Sequence, residues 1–552
     1  MTVNERRIPC VLAFDLGAGS GRAIIGEIVE EPPWTTDGPG EGGRNGTERD
    51  QDAAVLLDQA GEEMHLQSSG LAEEAVRKLR ITEIHRFPNH PVQIGRHLHW
   101  DTPMLLQEIK NGIRKAFQAG YEPQSCAIDT WGVDFGLLDR NGELLGIPYH
   151  YRDRQTEGVV EEVSALVGSE RLFRESGLQF MPFNTIYQLY AMKKAASPKL
   201  DVADTLLLTP DLMNYFLTGK RCCEFSMATT TGLYDPGRGG WNVQLLEELG
   251  LRSDMFLEPV SPGTVIGSLT SEVCAELGVP PMNVVAVASH DTESAAAAVP
   301  ASSASFAYLV SGTWSLLGTQ MPAPLLTSSV FEHQFSNEGG VDGNYHLLKN
   351  IMGLWILQEC KRKWEQDGCS FTYAELIELA EAAEPLRTLI DPDALRFMNP
   401  PDMPEEIRSY CRDNGQLEPD SVGSMVRCIL ESLAFRYRQV LEQAEMLTGS
   451  KFAGLHMVGG GIQNELLCAL TANAIGRPVW AGPVEASAIG NVLVQLRTSG
   501  HINDMREGQE LVKASFPQHI YEPDEAERRA VWEAGYTRYL RLIESDIRSG
   551  AG

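Results

Sequence analysis

Residues Val284–Val299 read VVAVASHDTESAAAAV. The run Val284–Ala288 is apolar and rich in β-branched residues, so it reads as a buried strand. It gives way to a polar knot, Ser289-His290-Asp291-Thr292-Glu293, and then to an alanine run, closed by Pro300, that reads as a helix. Open α/β folds gather ligands where buried strands end. Asp291 is therefore expected to face the reacting group; the plainer alternative is that it only caps the helix.

Working outward, Val11–Phe14 is a short apolar strand followed by a glycine-rich turn, Asp15-Leu16-Gly17-Ala18-Gly19-Ser20-Gly21-Arg22, and Ala23–Val29 is strand again. Dinucleotide folds and P-loops pass from their glycine turn into a helix, and no GK[ST] follows here. A glycine hairpin headed by an aspartate suits a phosphate clasp in which backbone N–H groups bind oxygens and Asp15 works through a metal ion, or it is a plain tight hairpin. The same outline returns in Phe306–Val310, Ser311-Gly312-Thr313-Trp314-Ser315 and Leu316–Thr319. Two such hairpins suggest two similar α/β domains, residues 8–300 and 301–548, with phosphates held between the turns.

Between them lie further candidates. Cys126–Asp129 is a strand that runs into Thr130-Trp131-Gly132-Val133-Asp134; Asp129–Asp134 thus holds two carboxylates, a hydroxyl and an indole, which is what a sugar pocket needs, or it is a surface loop with a half-buried Trp. A hairpin around Asn141-Gly142 is expected next. Asp101 with Pro103 opens an amphipathic helix that stops at Gly120. Residues 72–80 suit a short helix, and residues from about 31 to 70, rich in Pro, Gly and acids, read as a loop insertion. Late in the chain, Leu455–Val458 leads through Gly459-Gly460-Gly461 into a helix, a junction where a ligand can approach the backbone near the positive helix end.

Composition narrows the partners. The chain has 552 residues, too many for one core, with 43% hydrophobic and 22% charged residues. A net charge of -29 argues against nucleic acid and anionic membrane. No signal peptide or membrane span is read, and the ten cysteines follow no zinc or disulfide pattern. A cytoplasmic protein is expected; whether it is a monomer or a homodimer stays open.

In this order, DLGAGSGR, SHDTESAAAAVP, SGTWSLLG and VGGGIQNELL resemble the FGGY carbohydrate kinases. AIDTWGVDFGLLD, GLQFMPFNTIYQL, NEGG, LKNIMGLWILQE and GPVEASAIGN fit the same family. The resemblance implies two actin-like (ribonuclease H-like) domains with the site in the cleft between them. It also implies transfer of the ATP γ-phosphoryl group to the 1-hydroxyl of a ketose, L-rhamnulose being the expected acceptor. It makes Asp291 the catalytic base, and Ala127, His290, Thr292 and Asn350 sugar contacts, joined by Trp131 and Asp134. Ala18, Gly19, Ser20, Gly21 and Arg22 become the first phosphate loop. Thr313, Gln358 and Gly460 become nucleotide contacts, and Asp15 holds Mg²⁺ through water. A carboxylate at a helix start is expected to be strongly acidic. The rivals are an FGGY kinase for another ketose and a non-catalytic actin-like module that binds nucleotide or sugar.

Overall fold

The computed structural model describes residues 10–31, 76–303 and 305–549. The insertion near residues 31–70 thus lies almost wholly outside the described residues. Two mixed sheets organise the rest. In the first, β1 (Cys10–Leu16), β2 (Ser20–Glu31) and β3 (Val76–Pro88) form an antiparallel meander. On the other side of β1, β4 (Ser125–Thr130) and β6 (Asn283–Ala286) run parallel to it, and β5 (Thr264–Ser268) closes the edge. Over residues 76–80 strand β3 stands where the short helix of residues 72–80 is expected, and residues 72–75 lie outside the described residues. Ala23–Val29 pairs residue by residue with His85 back to Lys78, broken only by a register shift between Ala23 and Ile24, and sheet pairing outweighs the weak local helix preference.

The second sheet repeats the plan. Strand β7 (Ala307–Ser311) turns into antiparallel β8 (Trp314–Met321), which pairs with β10 (Tyr345–Met352) and, beyond it, β9 (Ser336–Gly339). Strands β11 (Leu455–Val458) and β12 (Val479–Ala481) then follow β7 in parallel, with β13 (His519–Tyr521) at the edge. The two glycine turns therefore occupy equivalent places, each between the first two strands of a meander.

Helices cover these sheets. Helix α1 (Thr102–Gln118), capped by the Asp101 carboxylate as its sequence predicts, packs on the first meander. Helix α2 is Asp291–Ala297, α3 is Val422–Thr448 on the second sheet, and α4 is Ala486–Thr498. Helix α4 comes from the end of the chain but packs on β1 and β4 of the first sheet and against α2. Its Ile489, Val492 and Leu493 share a core with Val11, Ala13, Ala127 and Val285. The hairpin expected at Asn141-Gly142 forms as a short one: Leu138 bridges Leu144, and the Asp139 and Leu145 N–H groups donate to the Glu143 and Leu137 carbonyls at 2.9 and 2.8 Å. Phe135–Leu138 pairs as well with Thr205–Leu208, far away in sequence. Among the described residues no helix is long and apolar enough to cross a membrane, and all ten cysteines are unpaired thiols.

Candidate active site

Two parallel strands deliver the first two carboxylates. Asp15 of β1 and Asp129 of β4 are direct register partners near the strand ends. Strand β6 then leads to Ser289, whose carbonyl accepts from the Thr130 N–H at 2.8 Å, and so to Asp291 at the start of α2. Three carboxylates from three adjacent strands thus meet at one end of the sheet. Asp129 is completely buried; the charges of Asp15 and Asp291 add to burial in raising its pKa, while the Asn491 amide, which donates to Oδ2 at 2.7 Å, opposes the rise. Its other oxygen, Oδ1, has no hydrogen-bond partner among the described residues.

Asp15 and Asp291 open onto a cavity of about 550 Å³ between the two sheets, and Asp129 lies buried behind its wall. Asp15, Ala18, Gly19, Ser20, Arg22, Trp131, His290, Asp291, Thr292, Thr313, Asn350, Gln358 and Gly460 all line it. Distant in sequence, they are brought together as expected. On the second hairpin the Thr313 hydroxyl donates to Gln358 Oε1 at 3.2 Å, and its carbonyl accepts from the Trp355 N–H at 3.1 Å, so the turn is braced by the helix that carries Gln358. Arg22 reaches Asp15 Oδ2 at 2.5 Å and also pairs with Glu485, just ahead of α4.

Three expected contacts are not on the cavity wall. Ala127 lies inside β4, in the core beneath α4, and its carbonyl accepts from Asn491. Alternation along the strand puts Ala127 on the same face as Asp129, and helix α4 covers that face where Ala127 lies. Gly132, past the end of the strand, lines the cavity instead. Gly21 faces inward: a Cβ there would fall 2.3 Å from the Phe87 ring, so this glycine serves packing rather than ligand access. Asp134 is fully buried under the loop, and its oxygens accept from Trp100 Nε1 at 2.6 Å, Trp131 Nε1 at 2.9 Å, Gln188 Nε2 at 2.8 Å and the Tyr151 N–H at 3.2 Å. Burial pushes its carboxyl up to about 7 against the pull of these donors. Asp134 therefore holds Trp131 in place, stacked 3.8 Å from Trp100, rather than touching a ligand itself.

Between them Val133 adopts φ 68, a left-handed conformation rare for a β-branched residue. Its N–H donates to Thr230 Oγ1 at 3.2 Å and its carbonyl accepts from Thr185 Oγ1 at 2.6 Å, which pin the turn. Strain held this way is common where a loop must present a ligand-binding surface.

Further residues complete the wall. Tyr151, Phe183, Asn184 and Thr230 extend the wall around Trp131, and Glu338 of β9 faces His290. Tyr373 and Ile377, one turn apart on helix Tyr373–Glu381, form an apolar wall near Gln358. That segment carries acidic residues and no motif, so nothing in its sequence marks it.

Asp291 departs from the expected strong acidity. Its side chain is 29% exposed, toward the cavity, yet it sits deep in the molecule. Burial and the charge of Asp15 push its carboxyl up to about 6, while His290 pulls it down. Desolvation inside a cleft outweighs the favourable helix start. If an ionised Asp291 is required, kcat/KM for the phosphate acceptor falls about tenfold per pH unit below about pH 6 and is level above it. A pH profile with its acid limb near 4 would contradict that environment.

Comparison with known proteins decides the family. Residues 78–298 match the model of the N-terminal domain of the FGGY family of carbohydrate kinases, and residues 307–499 match that of its C-terminal domain. The chain belongs to the FGGY family of carbohydrate kinases. Among its curated relatives, a rhamnulokinase of Bacteroides thetaiotaomicron is 41% identical over 96% of this chain and 99% of its own. A rhamnulokinase of Oceanobacillus iheyensis is 41% identical over 93% of this chain and 98% of its own. The fold is that of solved FGGY kinases. The ligand-bound xylulose kinase of Lactobacillus acidophilus superposes with TM-score 0.71 at 14% identity, covering 98% of this chain and 99% of that one. Plasmodium falciparum glycerol kinase with ADP superposes with TM-score 0.69 at 12% identity, covering 97% and 98%. This FGGY chain is thus a sugar kinase with the two-domain actin-like architecture, and ATP is the phosphoryl donor its family implies.

Proposed function

We propose that this kinase transfers the γ-phosphoryl group of ATP to the 1-hydroxyl of L-rhamnulose, yielding L-rhamnulose 1-phosphate and ADP, as a cytoplasmic step of L-rhamnose breakdown. The observation that carries the reaction class is Asp291, set in one cavity between an aromatic, amide-lined wall and two glycine hairpins. The curated relatives' name, rhamnulokinase, supports the sugar.

In this reading the ketose lies against Trp131, Gly132, His290, Thr292 and Asn350. Its 1-hydroxyl faces Asp291, which aligns it and accepts its proton as the bond to phosphorus forms. The hairpins at Ala18–Arg22 and Thr313 present N–H and hydroxyl donors to the phosphates, with Gln358 and Gly460 beside them. The apolar pair Tyr373 and Ile377 offers a face for the adenine. Phosphoryl transfer asks mainly for alignment and neutralised charge, so an aspartate suffices as the acceptor of the proton.

A divalent cation fits this site. Asp15 and Asp129 place two carboxylates side by side, and Asp129 Oδ1 has no hydrogen-bond partner among the described residues. Asp15, through water, and Asp129 would hold Mg²⁺, which when bound neutralises phosphate oxygens. The residues of the chain then align the two substrates and exclude water from between them.

A panel of ketoses with ATP and coupled detection of ADP tests the substrate. Turnover of L-rhamnulose with kcat/KM at least about a hundredfold above L-xylulose, L-fuculose and D-fructose is expected. Preference for another ketose would replace the sugar and keep the class.

A further inference from the structure

Behind Asp291 four buried side chains form two crossed pairs. Nδ1 of His290, at the end of the first sheet, lies 3.0 Å from Glu338 Oε2 on β9 of the second. Oε2 of Glu293 on α2 lies 2.9 Å from Nδ1 of His346 on β10. Each half of the molecule thus gives a histidine to a glutamate of the other. All four are buried, and the Tyr308 hydroxyl lies 2.7 Å from the same nitrogen of His346.

The main chain of His290 is fixed independently. Its N–H donates to Ser226 Oγ at 3.1 Å, and that hydroxyl donates to Glu224 Oε2 at 2.5 Å, an oxygen that also accepts from the Ser289 N–H at 3.2 Å. What remains to be set is the rotation of the imidazole. Its Nδ1 meets Glu338, and its Nε2 is 3.6 Å from Asp291 Oδ1.

We propose that Glu338 is a positioning residue for the transfer reaction. From the second half of the molecule it fixes the ring of His290 and, through that ring, the carboxylate of Asp291. The proposal rests on Asp291 being the base. The charged groups facing the imidazole are Glu338 from β9 and Asp291 and Glu293 from α2. Against the cost of burial, these three carboxylates push His290 up to about 9, which favours the imidazolium at neutral pH. That cation lowers the pKa of Asp291. Glu338 is thereby asked both to aim the ring and to keep it charged. Because it belongs to the other half, the base is fully arranged only where the two halves meet.

Glu338→Gln keeps the shape and an acceptor oxygen but removes the charge; Glu338→Asp keeps the charge at shorter reach. Two readouts apply. In the ligand-free protein, ¹H–¹⁵N spectra of the histidine rings, with His290 assigned through His290→Gln, follow its protonation. Wild type is expected to hold an imidazolium through pH 8, and Glu338→Gln to titrate at least about one unit lower. In turnover, Glu338→Gln is expected to lose about tenfold in kcat/KM for L-rhamnulose at pH 7 and to shift the acid limb upward, with KM for ATP changed less than about twofold. Glu338→Asp recovers part of the loss.

An unchanged His290 titration in Glu338→Gln overturns the proposal. So does an unchanged acid limb, or an equal loss in the sugar and ATP parameters together with a lowered melting temperature. Absence of L-rhamnulose turnover by the wild type would instead remove the substrate reading, and the ring titration would still decide the role of Glu338.

Discussion

Asp291→Asn is expected to lower kcat about a thousandfold while sugar and nucleotide still bind within a few-fold of wild type. The substitution is nearly isosteric and leaves the start of α2 unchanged in shape. It replaces the proton acceptor with an amide that cannot take the proton of the sugar hydroxyl. General-base groups contribute about 10² to 10⁴ in rate. Their loss leaves the aligned phosphates and sugar untouched, because the glycine hairpins and the Trp131 wall do not depend on this carboxylate. Calorimetric titration with sugar and with nucleotide, beside single-turnover phosphorylation, separates the two effects. Binding lost in step with turnover would make Asp291 an organiser of the pocket rather than the base. Retained turnover would remove it from the chemistry.

Gly490→Ala is expected to be the most damaging single methyl in the molecule. Helices α2 and α4 approach so closely at this point that a Cβ on Gly490 would fall 1.8 Å from the Ser294 carbonyl oxygen. The obstructing atom is helix backbone and cannot rotate aside, so the helices must separate by more than an ångström. Overpacking a core costs about 1–3 kcal/mol and more where the neighbour cannot yield. A fall of several degrees in melting temperature, followed by circular dichroism, is expected. Activity falls too, because α2 begins with Asp291, and Asn491, next to the glycine, supports Asp129. A variant with the wild-type melting temperature would mean the helices lie further apart than this contact.

The reactive end of the chain was legible in the sequence because it is local. A β-branched run, a polar knot and an alanine helix lie within sixteen consecutive residues, and each glycine hairpin is a strand, turn and strand in one stretch. Their assembly was legible only through the resemblance of the ordered motifs. The misplaced residues have separate causes: helix α4 covers Ala127, the Phe87 ring occupies the space beside Gly21, and a turn buries Asp134. Asp134 sits three residues after Trp131, but the left-handed turn at Val133 sends one side chain to the cavity and the other beneath it. No periodicity anticipates that reversal. Asp129 reads as part of an apolar strand and gains its meaning from its register with Asp15. Glu338 meets His290 across the cleft and Tyr373 lines the same cavity, and both placements are set by tertiary packing alone. The acidity of Asp291 was misjudged because the helix start is visible in sequence and its burial beside Asp15 is not.

The return of α4 to the first sheet also bears on how the chain is made. During synthesis the strands of that sheet leave the ribosome long before Ala486–Thr498, the helix that covers Val11, Ala13 and Ala127. Until then an apolar face of the sheet has no cover, and the polar ladder from Ser125 through Gln495 and Asn491 to Asp129 cannot form. The first half therefore cannot complete its core until residues 486–498 have been made. Nicking the chain after residue 300 would yield a fragment that lacks its own lid of helix, whereas co-expression of the two pieces would let the second supply it in trans.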